Sequence, residues 1–191
     1  MAIKSLKEMQ ETALDATKPG TVNPVEMLRL EALTSFEKYT KLMFKCQYKR
    51  SFIVAEHHKK MFEVLQDVVD GKITRLIINI APRYGKTELV IKSFISWAFA
   101  LNPRCRFLHL SYSDILVNDN SDTVRNIMSE ELYKTLFPNS ALASEKGSAK
   151  RWKTKAGGEL YAVSTQGQVT GFGAGAVDEE IDKMDGGNDI L

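Results

Sequence analysis

Hydrophobic positions along the chain change period several times, and the changes mark the elements. Ile3, Leu6, Met9 and Ala13 recur at helical spacing, and Lys18-Pro19-Gly20 stops that short helix. Asn23-Pro24-Val25-Glu26 then offers a cap, a proline at the first helical position and a glutamate three residues after the cap. The periodic run behind it predicts one long helix to about Lys45. Met61, Leu65, Val68 and Val69 predict a third helix over 56–70, closed by Gly71. "TRLIINI" at 74–80 is apolar and β-branched at almost every position instead of every fourth. That pattern predicts a strand buried on both faces of a parallel sheet.

"ELVIKSFISWAFAL" at 88–101 has helical length and pattern, "RFLHLSY" at 106–112 reads as a strand, and "SDILVNDNSDTVRNIM" at 113–128 as a capped helix. Strands alternating with helices predict an α/β fold with a parallel sheet and right-handed crossovers. A short helix, "EELYKTLF", ends at Pro138, and "RWKTKAGGELYAVS" alternates around Gly157-Gly158 as a β-hairpin does. From Thr170 onward the chain is rich in Gly and Asp and loses its periodicity until Ile190-Leu191.

"APRYGKTE" at 81–88 falls between the expected strand and the expected helix. A phosphate loop aims backbone N–H groups and a helix N-terminus at phosphate oxygens, while its lysine adds a point charge and its hydroxyl residue holds Mg²⁺. Gly85, Lys86 and Thr87 supply those parts, although Ile80 stands where the usual motif has its first glycine. Pro82 can fix the loop entry without it, and Arg83 adds a second cation. Tyr84 and Glu88 complete the stretch expected to line the nucleotide. Hydrolysis also needs carboxylates that hold Mg²⁺ and orient water. Asp178-Glu179-Glu180 is the acidic cluster in reach, either as a metal pair through Asp178 and Glu179 or as an acidic loop.

Composition narrows the setting. Of 191 residues, 43% are hydrophobic and 26% charged, which excludes a disordered chain or a coiled coil and allows one α/β core. A net charge of +2 leaves an anionic partner to be met by a local patch. Lys146, Lys150, Arg151, Lys153 and Lys155 surround Trp152, either as a nucleic-acid patch or as a solvated hairpin around a core tryptophan. Lys41, Lys45, Lys49 and Arg50 read first as one helix face. Cys46 and Cys105 stand far apart without metal spacing, as buried small residues in a reducing cytoplasm would. "FISWAFAL" is under half the ~20 residues that a membrane span needs, and "MAIKSLKEMQ" lacks a signal-peptide core.

Taken in order, these blocks resemble the N-terminal ATPase domain of the large terminase subunit of tailed bacteriophages, the motor that packages DNA. Pro82-Arg83-Tyr84-Gly85-Lys86-Thr87 matches a family loop spelled P-R-x-G-K-[ST], and "LHLSYSDILVNDNSDTVRNIM" and "WKTKAGGELYAVSTQGQVTGFGAG" follow in family order. The resemblance covers roughly residues 50–191 and implies a P-loop NTPase sheet of the RecA/ASCE kind over 51–191, behind a helical extension at 1–50. It further implies ATP and Mg²⁺ as ligands, with Arg83 and Lys86 as catalytic cations on the phosphates. His57 or His58 would lie near the adenine side.

The implied partners are double-stranded DNA, a terminase small subunit and a capsid portal, in a ring oligomer inside a bacterial host. Phe172 stands where relatives often carry arginine. Relatives place their metal-binding aspartate pair at the end of a strand whose first step here resembles Ile190-Leu191. The chain is therefore expected to be a fragment that lacks the family's nuclease domain and binds nucleotide with little or no hydrolysis. Two other classes remain open: a helicase- or RecA-like ATPase acting on nucleic acid, and an inactive prophage remnant or interaction fragment.

Overall fold

The computed structural model describes residues 23–144, 148–165 and 175–176. The helix expected over Ile3 to Ala13, Lys146 of the basic run, Phe172 and the acidic Asp178 and Glu179 lie outside the described residues.

Helix α1 (Pro24–Thr34) begins as its sequence predicts, with the Asn23 side chain accepting from the Val25 N–H at 3.0 Å. The single long helix expected to about Lys45 is broken at Ser35, where α2 (Phe36–Tyr48) starts. Ser35 is extended at φ −142°, and its hydroxyl caps α2 by accepting from the Lys38 N–H. The freed Phe36 N–H donates to Gln66 Oε1 at 3.2 Å. Periodicity hid the break because Leu33, Phe36, Tyr39 and Met43 all enter the same core. Helix α3 (Glu56–Val69) ends as expected, with Gly71 at φ 74° and its N–H bonded to the Val68 carbonyl.

After the loop, Thr87–Ser93 forms a π-helical segment, and α4 (Phe94–Leu101) follows. The Phe94 N–H reaches the Leu89 carbonyl five residues back, a spacing that 3.6-residue periodicity cannot announce. Trp97 of α4 is fully buried against Phe36, and its indole N–H donates to the Ala32 carbonyl at 2.8 Å. Phe36 also meets Phe62 and Phe94 edge-on, so α1 to α4 share one core. Beneath it, Tyr39 donates to Ser96 Oγ at 2.7 Å and Tyr133 to the Ser96 carbonyl at 2.9 Å. These buried hydroxyls are satisfied, which removes the usual penalty of burying them.

Strand β1 (Cys105–Ser111) leads to α5 (Asp114–Ser129), α6 (Glu131–Leu136) and the 3₁₀ turn Pro138–Ser140. Ser113 caps α5 by accepting from the Leu116 N–H. Strands β2 (Arg151–Lys153) and β3 (Glu159–Ser164) form the expected antiparallel hairpin, and β3 returns parallel to β1, pairing Phe107 with Leu160 and Leu110 with Val163. The last strand, β4 (Gly175–Ala176), touches β1 at Cys105 and Arg106. The strand order is β2-β3-β1-β4. The chain is therefore α/β, but its sheet is small and mixed instead of wholly parallel.

The strand expected at 74–80 is not formed. Among the described residues 75–80 have no sheet partner, Ile77 is 94% exposed, and of the stretch Ile78 and Ile80 pack against the core. A run that is apolar on both faces becomes a strand only when neighbours pair its edges and cover its sides. Among the described residues β1 gives one edge to β3 and two residues of the other to β4, so no described strand is left beside 75–80.

Candidate functional site

The loop 81–88 is built by two left-handed residues in front of a helix. Arg83 has φ 68° and Gly85 φ 79°, whereas Lys86 is right-handed at φ −51° and ψ −55°. A non-glycine residue with positive φ costs energy, and such conformations gather at ligand clamps. Opposite-handed neighbours such as Gly85 and Lys86 turn successive N–H groups toward one side, the concavity that binds anions. The Gly85 carbonyl already accepts from the Leu89 N–H at 3.0 Å, so the helical hydrogen bonding starts from the loop itself.

Pro82, Arg83, Lys86 and Thr87 are all exposed, and Tyr84 is 52% exposed. Two cations, one hydroxyl and a helix N-terminus thus face solvent together, an arrangement suited to a multiply charged anion. Glu88 differs. Its carboxylate accepts from Lys92 Nζ at 3.1 Å and from the Tyr48 hydroxyl at 3.3 Å, with only 18% of the side chain accessible. Burial and the Glu88 charge raise the Tyr48 pKa. At Lys92 burial works against the charge, but Glu88 outweighs it and the pKa is raised. The acid of the loop therefore anchors the π-helical segment to α2.

Behind the loop stands the start of α3. His58 Nε2 lies 2.8 Å from where a Cβ on Gly85 would be, so a side chain there would have to displace the ring, and the φ of 79° itself favours glycine. The His57 ring is 3.9 Å from that of His58 and 5.3 Å from that of Tyr84. The resemblance implied that His57 or His58 would lie near the adenine side; the structure places the two rings beside Gly85 and Tyr84 of the loop. Composition gave no sign of that contact.

The basic hairpin resolves toward its bland alternative. Trp152 is 6% exposed, and its indole N–H donates to Ser121 Oγ at 2.9 Å, so it is a core residue that cannot stack a base. Arg151 is hydrogen-bonded to Glu159, which Arg106 also approaches at 3.6 Å. Burial pushes the Glu159 carboxyl up, but the Arg151 hydrogen bond and charge more than offset it, and its pKa is lowered. Lys150, Lys153 and Lys155 remain exposed. Of the run read as a helix face, Lys41 and Lys45 lie on α2, where Lys41 pairs with Glu37 at 2.6 Å, whereas Lys49 is the left-handed C-cap and Arg50, beyond the helix, stacks over the Phe44 ring at 5.7 Å. Both cysteines are free, and burial pushes the Cys105 thiol up to about 12, which makes it inert.

Among the described residues no group of three or more His, Cys, Asp or Glu could hold a metal ion, and no helix is long and apolar enough to cross a membrane. Comparison with protein families, with characterised proteins and with solved structures finds no match for the chain.

Proposed function

We propose that residues 81–88 bind the phosphates of ATP and that the chain is the ATP-binding part of a DNA-packaging motor of the terminase large-subunit kind. One observation supports the binding half above others. An opposite-handed turn at Gly85 and Lys86 opens a helix whose first residues, Lys86 and Thr87, are exposed beside Arg83. In this reading the N–H groups of the turn hold the β-phosphate, Lys86 Nζ bridges the β and γ oxygens, and Arg83 faces the γ-phosphate.

A magnesium ion fits the residues present only as one that arrives with the triphosphate. Thr87 offers a single hydroxyl at the helix start, and phosphates and waters make up the remaining ligands. The ion would neutralise charge on the phosphates. Tyr84, half-exposed at the loop's rim, offers a ring face to the base or ribose. The motor assignment rests on the order of sequence blocks from Pro82 to Gly175. The exposed Lys150, Lys153 and Lys155 leave a modest cationic face for duplex DNA.

Calorimetric titration with ATP and Mg²⁺ tests the reading. Lys86→Ala should weaken binding about thirtyfold, the equivalent of about 2 kcal/mol for a lost charge-assisted hydrogen bond. A Lys86→Ala protein that binds as the unaltered chain does would sink the assignment. For the motor, duplex DNA should bind with a salt dependence that lessens when Lys150, Lys153 and Lys155 are replaced. A preference for single strands would favour a helicase-like role instead.

A further inference from the structure

We propose that Lys92 is a positioning residue of the phosphate loop: together with Tyr48 it holds and neutralises the Glu88 carboxylate, which would otherwise compete with the ligand at the start of the helix. This rests on the reading of 81–88 as a triphosphate site, and adds the residues that let that site tolerate an acid.

An acid is badly placed in this part of an anion site. Glu88 follows Thr87 directly and stands in the first turn of the helical run that opens at the loop. Acidic side chains are stabilised at a helix start, because the unsatisfied N–H groups leave a positive end there. Glu88 is therefore attracted by the same groups that a phosphate needs. A carboxylate left loose at that place would lower affinity in two ways, by occupying donors and by repelling a multiply charged ligand.

The side chain is held elsewhere. Lys92 Nζ donates to Glu88 Oε2 at 3.1 Å, and the Tyr48 hydroxyl, on the last residue of α2, donates to the same oxygen at 3.3 Å. Lys92 also hydrogen-bonds Tyr48, so the three side chains close on one another. The Lys92 and Glu88 side chains are 21% and 18% accessible, and a pair so far withdrawn from water is screened less than one on the surface. Burial lowers the Lys92 pKa, but the charge and hydrogen bond of Glu88 outweigh it and raise it, which keeps the ammonium charged. Glu88 is the one charged residue of 81–88 drawn back from solvent, whereas Arg83 and Lys86 stay exposed. Lys92 thus cancels the loop's acid and leaves both exposed cations to act on the ligand with their full charge.

The test uses the full chain with fluorescent analogues of ATP and of ADP and with Mg²⁺, at low salt and at about 0.5 M salt, each variant being melted as a check on its fold. Lys92→Gln leaves the Glu88 charge uncompensated and should weaken the ATP analogue about tenfold, and the less charged ADP analogue by a smaller factor. Lys92→Arg keeps the charge and should stay within about threefold of the unaltered chain. Glu88→Gln removes the acid and should tighten the ATP analogue about threefold, although the residue belongs to the loop. Combining Lys92→Gln with Glu88→Gln should restore affinity to within about threefold, and every difference should shrink at high salt. Equal weakening of both analogues by Lys92→Gln, a Glu88→Gln protein that binds more weakly than the unaltered chain, or a double variant as weak as Lys92→Gln would each overturn the proposal and leave the ion pair a mere anchor to α2. Should Lys92→Gln fail to fold, the direction of the Glu88→Gln change still decides. An unaltered chain that binds neither analogue overturns the triphosphate reading and the proposal together, whereas binding that ignores all of these substitutions overturns the proposal alone.

Discussion

The hairpin at 149–165 and the stretch at 75–88 both carry distinctive sequence, yet the structure treats them oppositely. In the hairpin the buried polar side chains have partners. Thr154 Oγ1 donates to the Pro103 carbonyl at 2.6 Å and accepts from the Gly158 N–H at 2.9 Å, while the Thr154 N–H bonds the Gly158 carbonyl. Ser121 Oγ accepts from Trp152 and donates to the Ala149 carbonyl at 2.6 Å. In the loop, Arg83, Lys86 and Thr87 lie open to solvent on a backbone with two left-handed residues. Closed polar networks hold a fold together, and open ones with strained backbone are available to a ligand. By that criterion W-x-T-x-x-G-G is architecture, and R-Y-G-K-T is left open to a ligand.

The comparison breaks first at Gly158. A Cβ there would stand 2.3 Å from the Pro103 carbonyl oxygen and 2.8 Å from that of Cys105, and neither backbone atom can swing aside. Gly158→Ala should cost about 3 kcal/mol by overpacking, measured as a shift in urea midpoint. A cost below about 1 kcal/mol would mean that the hairpin does not lie against the entry to β1.

Thr154→Val comes next. It keeps the shape but removes a hydroxyl that joins β1's entry to the hairpin turn, leaving the buried Gly158 N–H without its acceptor. The expected loss is about 2 kcal/mol, with nucleotide affinity unchanged. A variant that melts normally but no longer binds nucleotide would move this motif from architecture to chemistry.

These two regions also explain what the sequence could convey. Caps at Asn23 and Ser113, the stop at Gly71 and the turn at Gly157-Gly158 are local devices, and each is found where its residues imply. The break at Ser35 and the π-helical segment depend on a distant partner, Gln66 for one and Tyr48 through Glu88 for the other. Trp152 could be read either way because burial is a property of what packs above it. The loop was legible as a motif. The close approach of the His58 ring to it was not, because no local pattern records a neighbour 27 positions away, 58 to 85.

The smallest effect is the most informative about 75–80. Ile77 is 94% exposed, so replacing it with aspartate removes almost no burial. Ile77→Asp should therefore change stability by no more than about 0.5 kcal/mol, as for surface positions generally. Ile78→Asp, one residue along, should cost clearly more, because Ile78 packs against the core. Amide exchange adds a second measure: residues 75–80 should exchange quickly, whereas Leu160 and Ala162 of β3, paired to β1, should be protected. If Ile77→Asp instead costs several kcal/mol and the amides of 75–80 are as slow as those of β3, the doubly buried strand implied by the sequence exists in solution. The comparison then reverses at this point, because the loop would hang from a paired strand and its lysine and threonine would be held as firmly as the hairpin is.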